Sequence, residues 1–414
     1  MRQASTAFYI VIGLLIVSIP FIVEISKPQV NANEIVFWQY WTGTEKKPIE
    51  KLVEKFNAEH HGFTVKMLTV SMARKKILMS IAGGVPPDLM HLDGDMVTDF
   101  ALRGALVDLD VIARSNDDAE RFIPVYLKML NINGHQYAMP LMPSCEAMHV
   151  NKGLLDKYGL AVPQTLEDIV NVFDVINGQR SNAIGWLPSW PPWSGKFIVS
   201  AFGGNWDVAN SPENIAAWTW VQENFARKIP KDELAAYTEG FNSYQSPDNP
   251  FYAGRIAIEN SGVWEYNLAG IFAPKMRVVV APFPRSVIKS ANENDTMLAT
   301  QVSVDALAIP RGAKHPEQAL EFMQWLLKQE NLEYLALAQK KFTPLKIHSD
   351  NFFKEHANPY IRVFIDLANS PNATYFPQVA YANRYKREIK EAYLKVLRME
   401  ASPREALDEL QAKN

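Results

Sequence analysis

Among the residues able to do chemistry, tryptophans that stand near carboxylates come first. Trp41 precedes Glu45 by one helical turn, and Trp264 is flanked by Glu259, Asn260 and Glu265. A ring beside a carboxylate or amide offers two contacts at once. The ring face accepts mildly apolar C–H surface, and the polar group takes oriented hydroxyls. That combination suits a sugar. It also suits a polyamine, whose ammonium groups sit over aromatic rings. Trp190 and Trp193 straddle the Pro191-Pro192 break. Trp206 follows Gly203-Gly204-Asn205, where Gly204 lets the backbone approach a ligand closely. All four are candidate ligand contacts. Trp38 lies inside a predicted strand, and Trp218 and Trp220 lie on a predicted helix, so packing accounts for these three.

The same sequence makes a poor catalytic set. Asp93-Gly94-Asp95 with His91 suggests a carboxylate pair or a metal site. Glycosidases do use two carboxylates flanking the scissile bond. No second histidine is placed to close a ligand set, and a turn around Gly94 explains the aspartates equally well. No G-x-S-x-G, Walker loop or H-E-x-x-H occurs. His60-His61 precedes Gly62 at a helix end, where exposed histidines are ordinary. No catalytic residue, metal ligand or cofactor is expected, and the chain reads as a binder and not an enzyme. Asp93 and Asp95 remain candidate ligand contacts.

The elements that must position these residues follow from periodicity. Glu34–Trp38 is rich in strand formers, and a loop from Gln39 to Glu45 follows. Pro48 suits a first helical turn, and Ile49, Leu52, Val53 and Phe56 mark one helical face. Gly62 stops that helix and Phe63–Met67 resumes a strand. Strand, helix, strand with short joints signals a largely parallel α/β sheet. Strand patterns recur at 88–92, 276–281 and 302–309. Later helical faces carry Phe322, Met323 and Leu326, then Ile389, Tyr393 and Val396. Ser402-Pro403-Arg404-Glu405 reads as a capping box opening a last helix.

The chain has 414 residues, enough for two domains, and its 48% hydrophobic and 21% charged content is that of a folded protein. A net charge of -3 offers no surface for nucleic acid. Cys145 is the only cysteine, so no intramolecular disulfide and no lipid-modified N-terminal cysteine is expected. Phe8 to Val23 carries no charge, and Val30-Asn31-Ala32 offers a small-x-small pattern. Residues 1–32 are therefore expected to be a signal peptide or an uncleaved N-terminal anchor. Export to the periplasm follows, with tethering to the inner membrane if the segment stays.

Several blocks, in order, resemble the extracellular solute-binding proteins of ABC transporters, in the branch that binds maltose-like and other oligosaccharides. They are Phe37-Trp38-Gln39-Tyr40-Trp41 with Phe56-Asn57; Gly84-Val85-Pro86-Pro87-Asp88 with Gly104-Ala105-Leu106-Val107-Asp108-Leu109; and Tyr137-Ala138-Met139-Pro140 with Asn151-Lys152, Tyr158-Gly159-Leu160 and Pro163-Gln164-Thr165. The most specific is Phe251-Tyr252-Ala253-Gly254-Arg255-Ile256-Ala257-Ile258 followed by Gly262-Val263-Trp264. Val150 stands where the family usually has tyrosine, Ile258 where it has methionine, and 297–301 where it has a glycine-rich turn. The resemblance implies a two-lobed periplasmic-binding-protein-like clamp. Each lobe is a mostly parallel sheet flanked by helices, and crossing hinge segments join them. It divides the chain into 33–144 with 303–345, and 145–302 with 346–414. Ser144 and Glu146 then sit where the chain changes lobes, as candidate ligand contacts. It further implies a monomer that captures a sugar or oligosaccharide between the lobes and delivers it to the permease subunits of an ABC importer. The alternatives are a non-sugar solute in the same clamp, a sensor that presents its bound state to a membrane receptor, and a secreted carbohydrate-active enzyme.

Overall fold

The first strand, Glu34–Gln39 (β1), buries Ile35, Phe37 and Gln39 on alternate positions, as a half-covered strand should. The helix Gly43–Glu59 follows and buries the expected face of Ile49, Leu52, Val53 and Phe56. Its chain returns as Thr64–Thr69 (β2), parallel to β1, and after another helix as Leu89–Asp93 (β3), parallel to β1 on its other side. This computed structural model describes residues 33–70, 74–112, 116–179, 182–230, 233, 245–286 and 298–414. The signal or anchor segment expected at 1–32 lies outside the described residues.

Asp88, next to the double proline, ties this layer to the returning chain. Its carboxylate accepts from the backbone N–H groups of Val36 (2.8 Å), Lys314 (3.1 Å) and His315 (2.9 Å). A hairpin of Asn131–Ile132 (β4) and His135–Gln136 (β5) turns through Asn133 and Gly134, both at positive φ. That is the requirement of a tight primed turn.

Two long strands cross between the lobes. Met139–Asn151 (β6) pairs antiparallel with a late strand, Ala299–Ala308, and further along with two strands of the second lobe. Numbered in chain order, Ile184–Trp186 is β7, Ile256–Gly262 β8, Val278–Ala281 β9, Ala299–Ala308 β10 and Asn372–Thr374 β11. The sheet runs β2-β1-β3-β10-β6-β8-β7, with β9 on β6 and β11 on β10. The result is the expected two-lobed α/β clamp, with one continuous sheet path running through both halves.

Each lobe has its own core. The first gathers Phe37, Phe56, Phe100, Phe122, Tyr126 and Phe322. The second gathers Trp186, Trp206, Trp218, Phe173, Phe197 and Phe225. One division drawn from the sequence needs correction. Phe352, Ile361, Phe364 and Leu367 pack in the first core, not in the second as expected for everything beyond 346. The helix Ile361–Asn369 buries one strongly apolar face, and Phe364 of that face lies against His149 of β6. Phe376 is the next buried residue after it to join the second core.

Candidate functional site

A cavity of about 580 Å³ opens between the lobes. Its first-lobe wall begins with Tyr40 and Trp41, immediately after β1, and Glu45 in the helix that follows. This is the carboxyl end of a parallel strand, where open α/β sheets place their ligands. Asp305 of β10 and Gln339 and Lys341 complete that wall. The second-lobe wall carries Trp193, Gln245, Trp264 and Asn267.

The aromatic groups are fixed by what lies behind them. The Tyr40 ring stacks on His91 at 4.2 Å, and Trp41 meets the same imidazole edge-on at 4.3 Å. Tyr40 donates its hydroxyl to Asp305. Burial pushes the Asp305 carboxyl upward, but the nearby His91 imidazole, the Lys341 charge and the Tyr40 hydroxyl hold it below the ordinary value. Lys341 lies 2.6 Å from Glu45, with its ammonium 5.6 Å from the Trp41 ring centre. Opposite, Trp193 and Trp264 stand edge to face at 6.4 Å. A Cβ at Gly262 would collide with the Trp264 ring, so the glycine two residues earlier lets the indole lie back over the end of β8.

A charged group continues from this cavity. Asp93 ends β3 and caps the helix Gly94–Leu102 by accepting from the Asp95 N–H at 2.9 Å. Asp95 pairs with Lys386. Burial raises the Asp93 carboxyl, against the pull of Lys386. On β6, burial pushes Glu146 up to about 7, opposed by Lys196 and by the Trp193 indole N–H. Deeper in the second lobe, burial takes Glu259 to about 8, with the Trp190 indole N–H opposing, and lifts Glu265 well above its usual range.

Of the residues expected from sequence, Trp41, Glu45, Trp193 and Trp264 line one cavity. Asp93, Asp95 and Glu146 form the adjoining charged group. The remaining four belong to neither group. Ser144 lies in β6 opposite Ser303, and its carbonyl accepts from Tyr126 at 3.2 Å. Trp190 is 4% exposed and packs in the second core. Trp206 is 1% exposed there and donates its N–H to the Lys196 carbonyl. Gly204 is buried because the Asn214 amide fills the space a Cβ would need, so closeness of packing, and not of ligand, explains the glycine. Sequence reasoning missed Tyr40, Asp305, Lys341, Lys196 and Lys386. Tyr40 had a signal, lying beside Trp41 in the opening block. The others arrive from distant segments. A further cavity of about 340 Å³ lies in the first lobe among Leu109, Leu127, Met139 and Met323, without an aromatic ring in its lining. The interlobe cavity is therefore the candidate site.

Residues 40–333 match the family described as bacterial extracellular solute-binding protein. The maltotriose-binding protein of Pyrococcus abyssi is 23% identical over 317 residues, covering 74% of this chain and 65% of that protein. An uncharacterized ABC transporter extracellular-binding protein of Pyrococcus horikoshii is 20% identical over 300 residues, covering 69% of this chain and 66% of that protein. The chain thus spans just under two thirds of the length of these curated relatives. Among solved structures, CpMnBP1 with mannobiose bound superposes with a TM-score of 0.76 at 21% identity, over 92% of this chain and 99% of that one. At that identity the likeness speaks for the fold.

Proposed function

The chain belongs to the bacterial extracellular solute-binding proteins, and we propose that it captures a sugar or oligosaccharide in the interlobe cleft for an ABC importer. The observation that carries this reading is that aromatic side chains of both lobes, Tyr40 and Trp41 from one and Trp193 and Trp264 from the other, line one cavity together with carboxylate and amide groups. Rings take the C–H faces of a pyranose, and Glu45, Asp305, Asn267 and Gln245 supply acceptors and donors for its hydroxyls. The maltotriose and mannobiose in the names of its relatives are the same ligand class.

A polyamine fits less well. The place over Trp41 that a ligand ammonium would take already holds the Lys341 ammonium, paired with Glu45. A cationic ligand would meet like charge there, whereas a neutral hydroxyl would find both a donor and an acceptor.

The protein works as a monomer outside the cytoplasmic membrane, in the periplasm. Ligand binds one lobe of an open clamp, and closure is selected because both walls touch ligand only when the lobes meet. The closed form then presents its cargo to the permease. No bond is made or broken in the cleft, and energy for transport comes from a separate ATP-hydrolysing subunit.

A thermal-shift screen of the exported protein against mono- and oligosaccharides tests this reading. A true ligand stabilises by mass action, adding about 2.7 kcal/mol at a concentration one hundred times its Kd. One saccharide class is expected to raise the melting temperature while spermidine leaves it unchanged. The reverse pattern would assign the cleft to polyamines.

A further inference from the structure

Next to the aromatic cavity the lobes meet through charge. Asp93 and Asp95 stand on the first lobe, at the junction of β3 and its following helix. Facing them are two lysines of the second lobe. Lys386 belongs to the helix Ala382–Leu397, which buries Tyr385, Ile389 and Tyr393 in the second core, and Lys196 to the turn Ser194–Phe197. The Lys386 ammonium contacts Asp95 directly. Both ammonium groups also approach one ring, Phe376, at 4.9 Å for Lys386 and 5.9 Å for Lys196. Trp193 joins the two regions. It lines the aromatic cavity and also the small recess, about 130 Å³, that holds Lys196 and Lys386.

Two features separate this contact from an ordinary surface ion pair. Asp95 is anchored in the first lobe and Lys386 in the second, so the bond exists only while the lobes are together. Both lysines are half-buried, with a quarter of the Lys386 side chain exposed, and burial holds both ammonium groups below their usual range. Withdrawal of that kind is tolerated when a carboxylate stands opposite, and removal of one partner leaves an uncompensated charge.

We propose that Lys386 is a positioning residue that stabilises the closed clamp, beside the aromatic cavity, by engaging Asp95.

Distance measurement between spin labels tests the assignment without any ligand. Labels go on cysteines introduced at Glu59 and Glu167, exposed positions on the first and second lobes, and the native Cys145 is buried. In the ligand-free protein, Lys386→Met is expected to shrink the population at the short, closed interlobe distance, while Lys386→Arg keeps the wild-type distribution. Asp95→Asn is expected to shrink it as Lys386→Met does, and serves alone if the methionine variant does not fold. Wild-type distances in a folded Lys386→Met or Asp95→Asn protein would overturn the assignment. A wild type that binds no saccharide at all defeats the saccharide reading, and the ligand-free distances still decide the role of Lys386.

Discussion

Trp206 and Trp218 on one side, and Trp193 and Trp264 on the other, are the same residue type put to different ends within one lobe. The first pair is enclosed in the second core, and each donates its indole N–H to a backbone carbonyl at 2.9 Å. The second pair is half-buried at the cleft, ring edge against ring face. The acceptors of the enclosed pair are the carbonyls of Lys196 and Gly195, in the turn that carries Trp193. A Cβ at Gly195 would collide with the Tyr393 ring, so the same turn is pressed onto the core. The core tryptophans therefore shape the site without touching it, by fixing the backbone from which Trp193 and Lys196 project. Within this lobe, exposure at the cleft, and not residue type, separates contact from support.

The largest effect that would sharpen this contrast comes from the support side. Trp218→Ala is expected to lower stability by about 3–5 kcal/mol, the usual cost of emptying a buried tryptophan site, as read by denaturant unfolding. A loss below about 1 kcal/mol, the range of ordinary surface substitutions, would break the contrast.

Trp190 and Trp193 occupy the middle ground, since each indole tempers the rise of a buried carboxyl group, Glu259 and Glu146 respectively. Burial raises both folded-state values, to about 8 and about 7, above the usual 4.5. Between about pH 4.5 and those values the folded chain holds protons that the unfolded chain has released. Stability is therefore expected to fall as pH rises through this window, by about 1.4 kcal/mol per pH step of one for each proton held. Glu259→Gln should flatten the upper part of the curve in urea melts from pH 5 to 9. An unaltered slope would show that Glu259 ionises freely in the folded protein.

On the contact side, Trp264→Ala is expected to weaken saccharide binding by about 1–3 kcal/mol while the melting temperature stays near wild type. A melting temperature that falls as far as that of Trp218→Ala would move Trp264 to the support group. The smallest effect is expected at Gly204→Ala, near the lower end of the roughly 1–3 kcal/mol that overpacking costs. It should appear in thermal unfolding and leave affinity unchanged.

The sequence carried the local elements well, because their physics is local. The buried face of Gly43–Glu59 and the capping box of Ser402 and Glu405 are where periodicity and capping chemistry put them. Trp41 was readable as a cleft residue because it follows a strand end beside Glu45, and Trp264 because Glu259, Asn260 and Glu265 flank it and its block resembles the family's. Gly204 and Trp206 misled, because a glycine-rich turn looks the same whether a ligand or the Asn214 amide fills the space beside it. Lys341 and Lys386 left no local pattern, since each meets its carboxylate across some three hundred residues of chain. The helix Ile361–Asn369 was given to the wrong lobe for a related reason. Its apolar face is evident from spacing, but spacing does not say which core receives it.

A titration of tryptophan fluorescence tests the cleft as a saccharide site most directly, with wild type, Trp264→Ala and Trp218→Phe compared side by side. In the wild type one saccharide class should give a saturable change at one ligand per chain. Trp218→Phe should retain that affinity, and Trp264→Ala should lose it by roughly 5- to 150-fold, the span that 1–3 kcal/mol covers. Full wild-type affinity in Trp264→Ala, or an equal loss in both variants, would contradict the division between support and contact on which the site rests.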